Sequence, residues 1–315
     1  MEGVNEKENE EVEAQKHSGP SELGKWAEIQ DMLKKRVITE DDFPWRLPSS
    51  QAQHQQLRYV GGVDVCFSKE EPSMACGSLV VLDLHHALRL VHQCYTVLTL
   101  DVPYVPGFLA FREAPILVHL LEKMKSTASP FYPQVLMVDG NGLLHPRGFG
   151  LASHLGVLAN LPTIGIGKNL HHVDGLTRSG VKELFEAEEN RTKDLITLRG
   201  SSGFIWGVAM RSTQSSLKPL FVSIGHRISL DTAIKVVKMT CKFRVPEPIR
   251  QADIRSREHL HKHQIGRTYW WQYVGQISCS EVPDFVRSYL VQHFIRFSKL
   301  FQKLSTLRRE TQTQY

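Results

Sequence analysis

The feature that most constrains the fold is a short, unbroken apolar run that ends in an acid. Val135 to Val138 are all apolar, and Asp139 follows them directly. Such a run is typical of a strand covered on both faces, which favours parallel pairing inside a sheet. A helix near 152–160 and a short strand at 162–166 come next, so this region predicts a β-α-β unit and an α/β protein.

Three strands joined by short turns are predicted before this unit. Residues 59–67 alternate between apolar and other side chains, with a carboxylate in the middle, and strands over 77–84 and 88–100 follow. Consecutive strands with short connections favour an antiparallel meander. A helix over 108–124 then leads to the parallel strand. We therefore expect a mixed sheet of antiparallel meander plus parallel strands, flanked by helices.

Further elements are predicted on both sides of this core. Strands are expected at 204–210 and 219–224, and Ser229 is a good N-cap for a helix that runs to about residue 242. Near the N-terminus, apolar side chains recur at helical spacing and predict an amphipathic helix. These side chains are Trp26, Ile29, Met32, Leu33 and Val37.

The two ends of the chain differ from the middle in charge. Residues 1–20 contain six Glu and two Lys without apolar periodicity, which predicts a disordered acidic arm. The catalytic domain is expected over 21–264. The tail over 265–315 interleaves aromatic and basic residues. This pattern suits a basic amphipathic helix that binds a membrane or a partner. The plainer alternatives are a helix packed on the core and an extension from it.

Composition excludes several classes of protein. With 41% hydrophobic and 23% charged residues the chain is of the ordinary globular kind, and its net charge of +5 suits either an anionic partner such as nucleic acid or a plain basic surface. Five cysteines without a CxxC pair do not make a disulfide scaffold. The acidic N-terminus lacks the apolar core of a secretory signal, and no apolar run suits a membrane span. We expect a cytoplasmic and nuclear protein, with the nucleolus included, that is not secreted.

Three acids stand in places where acids are costly. Asp64 lies mid-strand, Asp139 ends the buried strand, and Glu113 lies on a helix among apolar neighbours. An unpaired carboxylate in apolar surroundings is unfavourable, whereas Mg²⁺ or Mn²⁺ binds carboxylate oxygens well. The spacing alone leaves two explanations open: the three acids converge on a metal ion, or each is a local structural feature.

Five strings of residues carry a resemblance to a known family. They lie at 61–65 (GGVDV), 103–113 (PYVPGFLAFRE), 139–147 (DGNGLLHPR), 165–168 (GIGK) and 243–253 (FRVPEPIRQAD). These strings resemble the endonuclease V family, and the order of elements resembles the ribonuclease H-like fold. The similarity runs from about residue 22 to 262, excludes both ends of the chain, and is greatest to vertebrate members.

The resemblance implies hydrolysis of the second phosphodiester bond 3′ to inosine, with Mg²⁺ as cofactor and Mn²⁺ able to substitute. It implies that Asp64, Glu113 and Asp139 hold the metal and that Asp253 is a fourth catalytic acid. Two further residues, Lys168 and His145, match positions near the scissile phosphate. The plainer alternatives are an acid near a helix N-terminus for Asp253 and an ordinary surface lysine for Lys168.

The resemblance also implies two substrate-binding loops. The first is a wedge made of Pro103, Tyr104, Val105 and Pro106, with Gly107 and Leu109 after it. An aromatic ring between two stiff prolines can replace a base in the stack. The second loop supplies glycines that let the backbone approach a hypoxanthine base closely. These glycines are Gly140, Gly142, Gly150 and Gly165. Without the resemblance, both loops would be explained as rigid surface turns.

The sequence therefore predicts a metal-dependent endoribonuclease that cuts inosine-containing single-stranded RNA. Two alternatives remain open: a deoxyinosine-directed DNA repair nuclease, and a non-cleaving inosine-RNA binding protein. Intact acids argue against the second, because a binder needs no metal. We expect a monomer that can bind RNA-binding proteins as partners. The histidine pairs 85–86 and 171–172 and the residues His259, His261 and His263 are interpreted as surface residues, since no cysteine lies beside them at zinc-ligand spacing.

Overall fold

The structure is a computed structural model that describes residues 20–48, 55–127, 129–187, 194–213, 216 and 218–275. The chain divides into two units between Glu258 and His259. Almost all of the predicted acidic arm, and the tail from residue 276, lie outside the described residues, so both remain predictions. None of the described helices is long and apolar enough to cross a membrane.

Six helices and eight strands make up the described residues, together with a 3₁₀ turn at Leu84–His86. The helices are α1 (Pro20–Lys34), α2 (Leu109–Ser126), α3 (Leu151–Ala159), α4 (Arg178–Glu186), α5 (Leu230–Thr240) and α6 (Glu247–Gly275). The strands are β1 (Tyr59–Phe67), β2 (Met74–Asp83), β3 (Arg89–Thr99), β4 (Val135–Asp139), β5 (Thr163–Gly167), β6 (Leu195–Arg199), β7 (Ile205–Met210) and β8 (Leu220–His226).

All eight strands belong to one mixed sheet in the order β3-β2-β1-β4-β5-β8-β7-β6. The meander β1 to β3 is antiparallel, and β4 pairs in parallel with both β1 and β5, as the sequence predicts. This is the ribonuclease H-like arrangement. Strand β6 and helix α4 have no counterpart in the sequence prediction, and β2 begins three residues earlier than predicted.

Strand β4 is apolar throughout because both of its faces are covered. Leu136 and Val138 pack in a core that α2 and α3 complete on one face of the sheet. Val135 and Met137 point to the other face and pack in a core that α5 and the start of α6 complete. The unbroken apolar run therefore reflects a central strand between two layers of helices.

Helix α1 forms where the sequence predicts a helix, but its predicted apolar stripe is wrong at two positions. Ile29 and Met32 are exposed, Met32 by 61%, while the polar Gln30 between them is buried. The reason is that α1 is held by one aromatic residue of the stripe together with a buried polar side chain. Trp26 stacks on Phe111 of α2 with ring centroids 5.2 Å apart, and the carboxamide of Gln30 is hydrogen-bonded to backbone carbonyls.

The start of α6 lies directly against β1 and β2, and a glycine makes this possible. A Cβ atom on Gly62 would lie 2.1 Å from the carbonyl oxygen of Pro248. On β2, the Ser78 hydroxyl donates a 3.0 Å hydrogen bond to the carbonyl of Ala252. The close approach brings the first turns of α6, and with them Asp253, over the strand that carries Asp64.

We predict that Gly62→Ala destabilises the protein by about 1–3 kcal/mol, because the added methyl group forces α6 away from the sheet. The measurement is thermal melting, in which the melting temperature should fall by several degrees. Gly24→Ala is the matched control, since Gly24 lies in α1 with nothing within 4 Å of an added Cβ. That change should leave stability unchanged or raise it by about 0.5–1 kcal/mol. A wild-type melting temperature for Gly62→Ala would contradict this account of the packing.

Candidate active site

Two of the predicted acids lie side by side because of strand register. In the parallel pair of β1 and β4, Val63 lies opposite Val138. Asp64 and Asp139 are the next residues in each strand, so both reach the same edge of the sheet. Asp64 is only 8% exposed, and the Ser256 hydroxyl of α6 donates a 3.0 Å hydrogen bond to its Oδ2.

The electrostatic environment of Asp64 is unfavourable for a negative charge. Burial, and then the negative charges of Asp139 and Asp253, raise the pKa of the Asp64 carboxyl to about 7. The hydrogen bond from Ser256 and the positive charge of Lys168 oppose this rise without cancelling it. Three carboxyl groups from β1, β4 and α6 therefore repel one another at this edge.

Glu113 joins the same cluster from α2. Its side chain is 8% exposed, and burial, followed by the charges of Asp64 and Asp139, raises its pKa to about 8. Among the described residues, none donates a hydrogen bond to its carboxylate. The structure thus brings Asp64, Glu113, Asp139 and Asp253 within electrostatic reach of one another, as the sequence predicts.

Two cations partly balance these acids. Lys168, just after β5, donates from Nζ to Oδ2 of Asp139 at 2.5 Å. Burial lowers the pKa of Lys168, but the carboxylate of Asp139 outweighs that effect and raises the pKa above its ordinary value. On α6, Arg257 pairs with Asp253 at 2.8 Å. Lys168 is therefore part of the acidic cluster, and not an isolated surface lysine.

His145 lies in a different setting from the acids. Burial, and then the positive charges of His171, Arg147 and Lys34, lower the pKa of the His145 imidazole to about 4. The backbone N–H of Arg147 donates to its Nδ1 at 3.2 Å, which places the ring proton of the neutral form on Nε2. His145 is thus a neutral hydrogen-bond donor at neutral pH, and none of the four acids contributes to its pKa shift.

The predicted wedge combines a buried anchor with an exposed ring. Val105 is buried, while Tyr104 beside it is 42% exposed. Gly107 has a φ of +81°, a conformation that favours glycine, and turns the chain into α2, which begins at Leu109. Pro103 and Pro106 are half-buried on either side. The loop therefore presents an aromatic ring on a stiff backbone.

The predicted glycine pocket is a place of very close backbone packing. A Cβ atom added to Gly142 would lie 2.0 Å from the carbonyl oxygen of Ile224. One added to Gly150 would lie 2.3 Å from the carbonyl oxygen of Asn141, and one added to Gly165 would lie 2.2 Å from the backbone nitrogen of Gly142. The N–H groups of Gly140 and Gly142 donate to Ile166 O and Ser223 Oγ, so they already have partners within the protein. The glycines accordingly pack the loop onto β5 and β8, and their role as a base pocket stays a prediction.

Comparison with known proteins decides the family. The family model for endonuclease V matches residues 41–254. A curated relative, mouse endonuclease V, is 47% identical over 240 residues, which is 76% of this chain and 70% of the mouse protein. The chain belongs to the endonuclease V family. It is a hydrolase: endonuclease V proteins act on phosphodiester bonds in nucleic acids that contain inosine.

Solved endonuclease V structures agree with this fold. The catalytic domain of human endonuclease V has a TM-score of 0.72 and 43% identity, covering 78% of this chain and 99% of that one. Endonuclease V from Ciona intestinalis has a TM-score of 0.70 and 35% identity, with 78% and 99% covered. That Ciona protein was crystallised with a 24mer DNA containing an inosine followed by a ribo-adenosine.

The side chains suit the divalent metal on which endonuclease V nucleases generally depend. Within the described residues, no group of three His, Cys, Asp or Glu side chains could hold a metal ion as it stands. The chemistry of the set nevertheless fits a hard cation, because the acids supply only oxygen ligands and destabilise one another when charged. The residues that would hold the metal are Asp64, Glu113 and Asp139.

Sequence reasoning missed two polar residues of the site. Asn141 is buried between two glycines, and its Oδ1 has no hydrogen-bond partner among the residues that the structure describes. Ser256 carries the hydroxyl that orients Asp64. A signal existed for each: Ser256 lies one helical turn after Asp253, and Asn141 lies in the string that starts at Asp139.

We predict that Glu113→Gln stabilises the metal-free protein at pH 8. The folded-state pKa of about 8 lies above the ordinary value of 4.5, so ionisation of Glu113 costs stability progressively as the pH rises between these values. In EDTA at pH 8 the variant should melt several degrees higher than the wild type, since roughly 1 kcal/mol shifts Tm by about 2–4 °C in a chain of this size.

At pH 4 the two proteins should melt nearly alike, because Glu113 is then protonated in the folded state and largely protonated in the unfolded state. Glu183→Gln on the exposed side of α4 is the matched control and should change nothing at either pH. An equal effect of Glu113→Gln at pH 4 and pH 8 would contradict the assignment of the shift to ionisation.

Proposed function

We propose that the protein is a metal-dependent endoribonuclease that cuts single-stranded RNA at the second phosphodiester bond 3′ to inosine. The observation that carries this proposal is the cluster of Asp64, Glu113 and Asp139. These three acids lie on separate elements and meet at one sheet edge, where each makes the ionised form of the others less stable. That arrangement is costly unless a cation is bound. A protein that only binds inosine-RNA has no need of such a cluster.

In this proposal Asp64, Glu113 and Asp139 would hold Mg²⁺, for which Mn²⁺ can substitute. The bound ion would lower the pKa of a water molecule and neutralise charge on the phosphate. The chain's own groups do the rest. Ser256 fixes the orientation of Asp64 by its hydrogen bond, and Asp253 adds negative charge from α6. Lys168 places an ammonium group beside Asp139, where it can approach a phosphate oxygen. His145 supplies a neutral N–H donor to the strand.

Recognition of the base is assigned to the wedge and the glycine loop. The exposed ring of Tyr104 can stack in the place of the inosine base, while Val105 anchors the loop in the core. Stacking of about 1–3 kcal/mol offsets much of the cost of removing a base from its neighbours. The loop from Gly140 to Gly150 is proposed to read the hypoxanthine edge. Asn141 Oδ1 is a buried acceptor in this loop that no described residue of the chain bonds to.

The preference for RNA is proposed from the relatives. The Ciona complex contains DNA in which a ribose follows the inosine. In this proposal the protein recognises the 2′-hydroxyl of the nucleotide that follows the inosine, since this group distinguishes RNA from DNA. The same complex favours a second candidate function, a nuclease directed at deoxyinosine in DNA. We further propose a monomer. We also propose that it is located in the cytoplasm and nucleus, because free thiols at the described cysteines Cys66, Cys76, Cys94 and Cys241 suit a reducing compartment.

The test is cleavage of matched strands mapped at nucleotide resolution. Strands with inosine or adenosine are prepared as RNA, as DNA, and as DNA with one ribonucleotide 3′ to deoxyinosine, each with Mg²⁺ or EDTA. We expect cutting only with inosine and metal, faster in RNA than in DNA, with the single ribonucleotide restoring much of the rate. Asp139→Ala should abolish cleavage while binding persists, and Asp231→Ala, at an exposed position of α5, is the control.

Each alternative outcome of the cleavage test points to a different function or mechanism. Faster cleavage of all-DNA strands would favour the deoxyinosine nuclease. Binding without cleavage by the wild type would favour the non-cleaving binder, and cleavage in EDTA would contradict the metal-dependent mechanism.

We also predict that Tyr104→Ala weakens binding of an inosine strand by about 1–3 kcal/mol, the worth of one base–aromatic stacking contact. Tyr104→Phe should be nearly silent, because the ring does the stacking and the hydroxyl does not. Equilibrium binding without metal separates this effect from catalysis. Equal losses in both variants would assign the effect to the hydroxyl and contradict the wedge.

A further inference from the structure

Gln30 is the side chain that α1 buries most deeply, although it is polar. It is 1% exposed, whereas its neighbour Ile29 is 39% exposed. Its Nε2 donates to Gly107 O at 3.2 Å and to Phe149 O at 2.8 Å. Its Oε1 accepts a hydrogen bond from Nε of Arg147. A buried carboxamide is costly unless both ends are satisfied, so this position is built for an amide of this length.

The partners of Gln30 belong to the two loops assigned to base recognition. Gly107 ends the wedge loop, defined here as residues 103–107. Phe149 and Arg147 belong to the pocket loop, defined here as residues 140–150. The two carbonyls lie 77 and 119 residues from Gln30 along the chain, and a single amide group joins them.

Neighbouring side chains hold the same two loops. The guanidinium of Arg147 lies 5.3 Å from the ring centroid of Phe108, the residue after the wedge loop, and also donates to Asp31 at 3.1 Å. Lys34 donates from Nζ to the carbonyl of Arg147 at 2.9 Å. Helix α1 ends at Lys34, before residue 41, where the family model begins. A helix outside that matched region therefore fastens the recognition loops.

We propose that Gln30 is a positioning residue that fixes the spacing between the wedge loop and the pocket loop, and thereby sets affinity and selectivity for inosine. This inference rests on the proposed function. A base must leave the stack at the wedge loop and enter the pocket loop. The distance between the two loops must therefore stay fixed. Guanine shares the hypoxanthine edge and adds only an amine, so it is excluded by tight fit, which looser loops would lose.

The test is steady-state cleavage of strands with inosine or guanosine by the full-length Gln30→Glu variant. This change keeps the size and the acceptor for Arg147 but removes both donors to the carbonyls. Because each lost hydrogen bond weakens the loop junction, we expect KM for the inosine strand to rise about tenfold. The kcat should stay within about twofold, because the four acids and Lys168 are untouched. Preference for inosine over guanosine should fall by a similar factor of about ten.

Met32→Ala, on the exposed side of the same helix, is the matched control and should behave as the wild type. Thermal melting shows whether Gln30→Glu is folded; if it is not, Gln30→Asn, which keeps the amide but is one methylene too short, takes its place. Unchanged KM and selectivity in a folded variant would overturn the inference while the wild type still cuts at inosine. Equal losses of kcat on both strands would overturn it too, because they indicate general damage. Failure of the wild type to cut inosine strands would overturn the proposed function with it.

Discussion

The repulsion between Asp64, in the middle of β1, and Asp139, at the end of β4, is the constraint on which the rest of the site depends. Parallel register puts Asp64 beside Asp139, and burial leaves Asp64 little water to solvate its charge. The first turns of α6 and α2 then bring Asp253 and Glu113 to the same place. Such an arrangement lowers the stability of the metal-free protein, and it persists because two packed cores hold the elements that carry the acids.

The two faces of the sheet make different contributions to the site. The core under α2 fixes Glu113, while the opposite face receives α6 through Gly62 and Ser78. The recognition loops are anchored by buried apolar side chains of their own, such as Val105, and by hydrogen bonds, above all those of Gln30. Chemistry and recognition are therefore stabilised by different interactions, so a variant can damage one and spare the other.

Much of the fold follows from periodicity, and the reason is visible in particular residues. The run from Val135 to Val138 was informative because each residue is buried on one of two faces. Periodicity predicts the helix α1 but places Ile29 and Met32 on its buried face, whereas both are exposed and the polar Gln30 is buried. Periodicity cannot reveal that a buried amide does the anchoring. Strand β6 is short and only partly buried, so it gives too weak a pattern.

For the site, the sequence supplied the acids but not their surroundings. Asp64 and Asp139 stood out because acids are rare in buried strands, and Glu113 because its neighbours are apolar. Ser256, Asn141 and Gln30 are ordinary polar residues in the sequence. The role of Gln30 depends on contacts with residues far along the chain, which spacing does not reveal, whereas Ser256 and Asn141 lie close in sequence to Asp253 and Asp139.

Binding of Mn²⁺ to the protein without nucleic acid, followed by electron paramagnetic resonance at pH 7.5, tests the central claim most directly. The wild type should bind the ion saturably, and Asp64→Asn and Asp139→Asn should each weaken binding by at least tenfold. Asp231→Asn, which changes an exposed acid of α5, should bind as the wild type does. Equal binding by all four proteins, or no binding by the wild type, would contradict the claim that these acids form a metal centre.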